Sequence, residues 1–241
     1  MTAGGVTWHD ALGSTQEEAH RLAAEGAPHG AAVAARVQTG GRGTRGRLWF
    51  SPEGGLWLSV VCRPEESDAF EAVGLRVGLV LADLLDRQLR ADSRVALKWP
   101  NDLLLDDRKL GGILAEARWH GERIAWIVVG VGINVRNELP SAVRHSGARL
   151  ADAGFTGSPD ELAEPVAGAV ANAAARAAPL TRDELDQFAR RDWLLGRAVA
   201  APEQGVADGI TPAGRLRVRL PDGRVAEILT GVVVRAVEPV P

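Results

Sequence analysis

The chain has 241 residues, 46% of them hydrophobic and 24% charged, with a formal net charge of -3. That is globular composition, enough for one large domain or one plus a small one, and it excludes disordered and fibrous classes. One cysteine excludes an internal disulfide framework, no apolar run is long enough to span a bilayer, and the slight acidity leaves the whole surface without an electrostatic footprint for nucleic acid.

Met1 to Asp10 shows neither a basic n-region nor an apolar h-region, which points to a cytoplasmic chain with no membrane partner. Ser14 followed by Glu17 reads as a capping box opening a helix that ends at Gly26-Ala27-Pro28. A strand over Ala31 to Val37 leads into Q-T-G-G-R-G-T-R-G-R, a glycine-rich loop over Gln38 to Arg47, and Gly55 to Arg63 resumes a strand. Phe70 to Leu89 carries apolar residues at helical spacing and predicts a core helix. Short strands follow: Val95 to Trp99, Leu103 to Leu105, a turn at Asp106-Asp107-Arg108, Ile113 to Trp119, and Ile124 to Val135. Their short connections favour an antiparallel or mixed sheet. Ser158-Pro159-Asp160-Glu161 and the Thr181 to Glu184 box start two helices within 159–193. After Leu195, short strands at Val199, Leu216 to Leu220 and Ile228 to Val237 predict a small β-barrel, which divides the chain into a large domain over 1–194 and a barrel over 195–241.

Two features carry chemistry. Of 28 basic residues only Lys98 and Lys109 are lysine, so those positions call for a compact ammonium rather than a planar guanidinium. Gly41, Gly43 and Gly46 satisfy G-x-G-x-x-G, but Arg47-Leu48-Trp49-Phe50 runs on to Pro52 and another strand where a dinucleotide fingerprint opens a helix. A P-loop fails too, since Arg47-Leu48 follows Gly46 instead of Lys and Ser or Thr. What remains is a loop whose bare backbone approaches a ligand, interleaved with arginines suited to phosphate or carboxylate; the alternative is a solvated arginine-rich turn. His9, His20, His29, His120 and His145 lack metal-ligand spacing and read as solvated or structural. Cys62 sits in an apolar run and reads as core.

Three ordered blocks, Lys98-Trp99-Pro100-Asn101-Asp102, Lys109-Leu110-Gly111-Gly112-Ile113-Leu114-Ala115-Glu116 and Gly130-Val131-Gly132-Ile133-Asn134-Val135, together with the arginine-glycine loop, make the chain resemble biotin-protein ligases. The resemblance spans about Ser14 to Val135. It implies an α+β fold: a mixed, mainly antiparallel sheet flanked by helices, of the class II synthetase-like kind found in biotin and lipoate ligases, with an SH3-like β-barrel at the C-terminus. It also implies a two-step reaction. Biotin and ATP give biotinyl-5'-adenylate and pyrophosphate, and the adenylate acylates a lysine of a biotin carboxyl carrier protein. Mg²⁺ would arrive with ATP, and the family allows a homodimer.

By that resemblance Ser14, Thr15, Gln38, Gly41 and Arg42 meet the biotin end, Gly111 and Gly112 pass close to the ligand, and Lys98, with Arg42, serves the junction of carboxylate and phosphate. Arg45 and Arg47 fall on the phosphate side, Trp49 packs on adenine and Asn134 hydrogen-bonds it. Lys109 receives no firm role; Asp102 reads as a capping or sheet-organising residue, and Trp57 and Trp99 as core. The chain departs from the family pattern at Thr44, where the loop usually has arginine, and at Gln16, where asparagine is usual. The missing cation implies a loosely held adenylate unless Arg45 substitutes. The rival activities are lipoate or octanoate transfer, whose arginine-glycine motif differs, and a biotin-sensing repressor, for whose N-terminal helix-turn-helix the segment before Ser14 leaves no room.

Overall fold

A computed structural model describes residues 5–229, 234 and 235. The elements in chain order are β1 (Val6–Leu12), α1 (Thr15–Ala24), β2 (Ala32–Gln38), β3 (Leu56–Cys62), α2 (Phe70–Asp86), β4 (Val95–Lys98), β5 (Asp102–Leu105), β6 (Arg108–His120), β7 (Arg123–Ile133), α3 (Pro159–Ala173), α4 (Arg182–Arg191), β8 (Ala198–Ala201), β9 (Gly205–Ile210), β10 (Leu216–Arg219), β11 (Val225–Ile228) and β12 (Val234–Arg235).

The first seven strands form one sheet in the order β1-β2-β3-β7-β6-β5-β4, antiparallel throughout except for the parallel β1–β2 pair joined by α1. The mixed, mainly antiparallel sheet expected from the short connections is therefore present. β1 is a strand that the pattern of the sequence did not signal. It pairs on one side only, so its residues Val-Thr-Trp-His-Asp-Ala-Leu alternate weakly between half-buried and exposed. The expected box at Ser14 is a simpler cap: the Ser14 hydroxyl accepts from the Gln16 amide at 3.3 Å, and Glu17 turns outward toward Arg42 at 3.9 Å. Both later boxes form, Ser158 with Glu161 and Thr181 with Glu184.

All seven residues of β3 are buried, because helices and the site cover both of its faces. Leu56, Leu58, Val60 and Cys62 join the main core with Val73, Val77 and Leu81 of α2 and Leu162, Val166 and Val170 of α3. The opposite face carries Val61, which packs with Ala19 and Ala23 of α1, and then Ser59 and Trp57, which α1 leaves uncovered. One sheet face is thus shared between a helix and a hollow. Burial pushes the Cys62 thiol up to about 12, which agrees with its reading as core.

The β4–β5–β6 meander turns at Asp106 and Asp107, both with positive φ (50° and 60°), the backbone of a tight hairpin that aspartate tolerates. β6 begins earlier than the pattern suggested, so Gly111 and Gly112 lie inside a strand. The C-terminal barrel expected from the sequence is observed as an antiparallel sheet in the order β11-β10-β9-β8-β12. Its Val199, Ala207, Leu216 and Val218 belong to the same core as the large sheet, and the Trp99 indole N–H donates to the Gly214 carbonyl at 2.9 Å. Of the strand expected over Ile228 to Val237, residues 230–233, 236 and 237 lie outside the described residues. Among the described residues no helix is long and apolar enough to cross a membrane.

Candidate active site

Cross-strand register builds the floor of a cavity of about 400 Å³. Trp57 of β3 stands opposite Gly132 of β7, Gly132 opposite Gly112 of β6, and Gly112 opposite Asp102 of β5. One row along, Ser59 faces Gly130, and Gly130 faces Leu114. Directly opposed residues share a sheet face, so three glycines lie side by side on the face that α1 leaves open. A Cβ on Gly132 would lie 2.7 Å from Trp49 Nε1 and one on Gly130 would lie 2.5 Å from Gln16 Oε1, whereas one on Gly112 would make ordinary contact with the Trp49 ring at 3.7 Å. Bare backbone lets a flat ligand rest on the strands.

At one end the cavity is polar. The Thr15 amide and hydroxyl reach Gln38 Oε1 at 2.8 and 3.1 Å, and the Thr15 hydroxyl is 2.9 Å from that of Ser59. The Ser59 hydroxyl donates to Gln16 Oε1 at 3.1 Å, while Gln38 Nε2 donates to the Ser51 hydroxyl at 2.8 Å. Gln16 stands out in the sequence only as a departure from the family pattern, and Ser59 and Ser51 do not stand out, since an isolated serine carries no local signal. Ser14, Thr15 and Gln38 do stand out, and all three line the cavity. Gly41 does not line it; it sits buried behind, where a Cβ would meet the Trp49 carbonyl at 2.3 Å. Gly111 also faces away and is needed for the close approach of the Gly132 carbonyl, 2.6 Å from a Cβ built there. Gly112 alone of the pair lines the cavity.

The two lysines stand in different places. Lys98 pairs with Asp102 across β4–β5, two strands beyond Gly112, and strands lie about 4.8 Å apart. Its Nζ rests 5.3 Å from the centre of the Trp193 ring, and Lys98 is absent from the cavity wall. Of the two lysines, Lys109 lines the cavity. Register slips between Leu103 and Leu104: Leu103 faces Gly111 but Leu104 faces Lys109, so Leu110 is an extra residue. Such a bulge reverses the parity of the strand and turns Lys109 to the face of Gly112. Its Nζ donates to Asp102 Oδ1 at 2.5 Å and stands 5.2 Å from the Trp49 ring.

The remaining wall comes from two loops. Arg42, Thr44, Arg47 and Trp49 of the glycine-rich loop line one side, with Leu48 (84% exposed) and Phe50 at the mouth. Arg45, in the left-handed region at φ 60°, is exposed and does not line the cavity. The Thr44 hydroxyl instead accepts from Arg47 Nη2 at 3.1 Å. Trp49 lies edge-on to Trp57, ring centres 6.5 Å apart, and its buried indole N–H has no partner among the described residues. Trp57 and Trp99 are buried, as core aromatics are, although Trp57 also contributes to the cavity wall. Opposite the loop, Asn134 and Asn137 join through Asn137 Nδ2 and Asn134 Oδ1 at 3.1 Å, and Leu139, Pro140, Val143, Ser146 and Gly147 complete the wall.

Known proteins share both the blocks and the shape. The model of the Biotin/lipoate A/B protein ligase family matches residues 8–134. A biotin--[acetyl-CoA-carboxylase] ligase of Paracoccus denitrificans is 33% identical over 235 residues, 90% of this chain and 97% of that protein. The bifunctional ligase/repressor of Bacillus subtilis is 36% identical over 152 residues, 61% of this chain, and the match spans only 46% of that longer relative. The structure of the Aquifex aeolicus biotin protein ligase in complex with biotin and ATP superposes with a TM-score of 0.80 at 26% identity, covering 96% of this chain and 99% of that one. With the matched segment running from β1 through β7, the whole glycine floor included, the chain belongs to the biotin/lipoate A/B protein ligase family.

Proposed function

We propose that this chain joins biotin to ATP as biotinyl-5'-adenylate and then transfers the biotinyl group to a lysine of a biotin carboxyl carrier protein. The observation that carries this is one continuous cavity with hydrogen-bonding side chains at one end, bare strand backbone along its floor and an ammonium beside it. The hydroxyls and amides of Thr15, Ser59, Gln16 and Gln38 suit a cyclic urea, which offers two N–H donors and one carbonyl. A dithiolane ring gives such groups nothing to bond, and leaving them unpaired on binding costs affinity. The complex named for the Aquifex relative, with biotin and ATP together, supports the pairing of ligands.

In the first step a carboxylate oxygen attacks the α-phosphorus and pyrophosphate leaves. Two anions meet, so fixed positive charge is required where charge gathers. In this reading Lys109, with Arg42 and Arg47 from the loop, supplies it, and Asn134 with the apolar wall of Leu139 and Val143 receives the adenine; all of them line the cavity. In the second step the carrier amine attacks the acyl carbon and AMP leaves, so no side-chain nucleophile of this chain is needed. Mg²⁺ is assigned to the ATP phosphates: a nucleotide-borne ion needs few protein carboxylates, Asp102 is committed to Lys109, and among the described residues no three His, Cys, Asp or Glu gather as a metal-holding group.

The test is calorimetric titration with biotin against lipoate, followed by ATP-dependent labelling of a carrier domain. Biotin binding and labelling with biotin alone are expected. Preferential use of lipoate, or tight sequence-specific DNA binding without labelling, would replace this function by one of its rivals.

A further inference from the structure

Beneath the polar end runs a chain of hydrogen bonds that substrate contacts do not explain. The Trp126 indole N–H donates to His20 Nδ1 at 3.1 Å, and His20 Nε2 is 3.2 Å from Glu116 Oε2. An indole only donates, so Nδ1 accepts and the ring proton sits on Nε2, pointed at the carboxylate. Gln16, one turn from His20 on α1, donates from Nε2 to the same Oε2 at 3.0 Å. The other oxygen, Oε1, accepts from Arg42 Nη2 at 3.2 Å. The His20 hydrogen bond, with burial opposing it and the Gln16 amide and the Arg42 charge assisting, lowers Glu116 to about 2. The carboxylate is an anion under all ordinary conditions. The two oxygens therefore have separate duties: Oε2 ties α1 to β6, and Oε1 ties β6 to the glycine-rich loop.

We propose that Glu116 is a positioning residue that latches the glycine-rich loop over the cavity through Arg42, with His20, oriented by Trp126, as its support. The proposal rests on the loop being the cover of a ligand site, as proposed above. Glu17, the other carboxylate near Arg42, is 3.9 Å away and 66% exposed, too loose to serve as the latch.

Glu116→Gln separates the two duties. The new amide oxygen takes the Oε2 place and keeps His20 and Gln16 satisfied, which sets its NH₂ against the Arg42 guanidinium, donor facing donor. The loop is released while the packing stays. Hydrogen exchange on the ligand-free protein reads the latch directly at the amides of Gly43 and Trp49, which bond to the Arg47 and Gly41 carbonyls. Exchange there should quicken about fivefold, the scale of one half-exposed ion pair. The KM for biotin should rise about as much, with kcat within about twofold and the melting temperature unchanged. In an Arg42→Gln background the same change should add nothing, and His20→Leu should shift exchange and KM in the same direction as Glu116→Gln.

Unchanged loop exchange in Glu116→Gln, or an effect that persists in the Arg42→Gln background, would overturn the latch. Because exchange is measured without ligand, a wild-type protein that makes no biotinyl-adenylate would refute the proposed activity and leave the latch to its own result. Normal adenylate formation with unchanged exchange would refute the latch alone.

Discussion

The placement of Lys109, and not Lys98, on the cavity wall carries the sharpest quantitative prediction. Lys109→Met removes the ammonium from the cavity wall and keeps most of the side-chain volume. A cation about 4 Å from a phosphate oxygen, at an effective dielectric of about 20, interacts by roughly 4 kcal/mol. Lys109 is one-third exposed, which trims that figure toward the measured worth of one transition-state donor, about 100- to 1,000-fold in rate. The loss also strands Asp102, whose Oδ1 lies 2.5 Å from the lost nitrogen, as a carboxylate facing polyphosphate. Lys109→Met with Asp102→Asn should therefore recover about tenfold of the loss, the like-charge part. Lys98→Met should change adenylation by no more than about threefold, since that ammonium packs on Trp193 beyond the cavity. Rapid-quench measurement of biotinyl-adenylate at saturating biotin and ATP separates these outcomes. Equal losses for the two lysines, or a larger one for Lys98, would show that the reacting centre lies where the motif spacing alone had put it and that the bulge at Leu110 is irrelevant.

Other perturbations test other parts of the site. Gly132→Ala drives a methyl to within 2.7 Å of Trp49 Nε1, so the indole must swing aside; biotin affinity should fall about tenfold by titration calorimetry, and unchanged affinity would show that the floor is not the ligand platform. Thr44→Arg returns a cation to the cavity side of the loop and should slow release of the adenylate in a quench-and-filter assay, whereas equal release rates for the two proteins would remove any role for that position. Asp192 is held up at about 6, from an ordinary 3.8, chiefly by burial, with Oδ2 unpartnered. Its proton is bound more tightly in the folded chain, so this group's contribution to stability is greatest below about pH 4 and falls by up to about 3 kcal/mol as pH rises through 6. Asp192→Asn keeps the acceptor for the Leu194 amide and should flatten that slope in urea unfolding between pH 4 and 7.5; parallel curves would mean that the carboxyl titrates normally.

Much of the fold is local and therefore legible. Caps at Ser158 and Thr181 and the helical spacing of Val73, Val77 and Leu81 are decided within one or two turns of chain, where short-range sterics and hydrogen bonds act alone. The edge strand β1 escaped notice because pairing on one side imposes little alternation on its residues. The relay under the cavity was out of reach for a different reason: His20 and Glu116 are 96 positions apart, and only folding makes them neighbours.

The site divides the same way. That Gly130 and Gly132 share a face follows from a period of two within a single strand, and the ordered blocks already marked segments that line the cavity. That Gly112 lies beside Gly132, and Lys109 beside Gly112, depends on inter-strand register, which is settled by packing across the whole sheet. One extra residue at Leu110 reverses the alternation, and no feature of the local composition marks it. The amino-acid order alone thus singled out two lysines and pointed to Lys98; a single slip in a β-ladder decided that Lys109 is the one on the cavity wall.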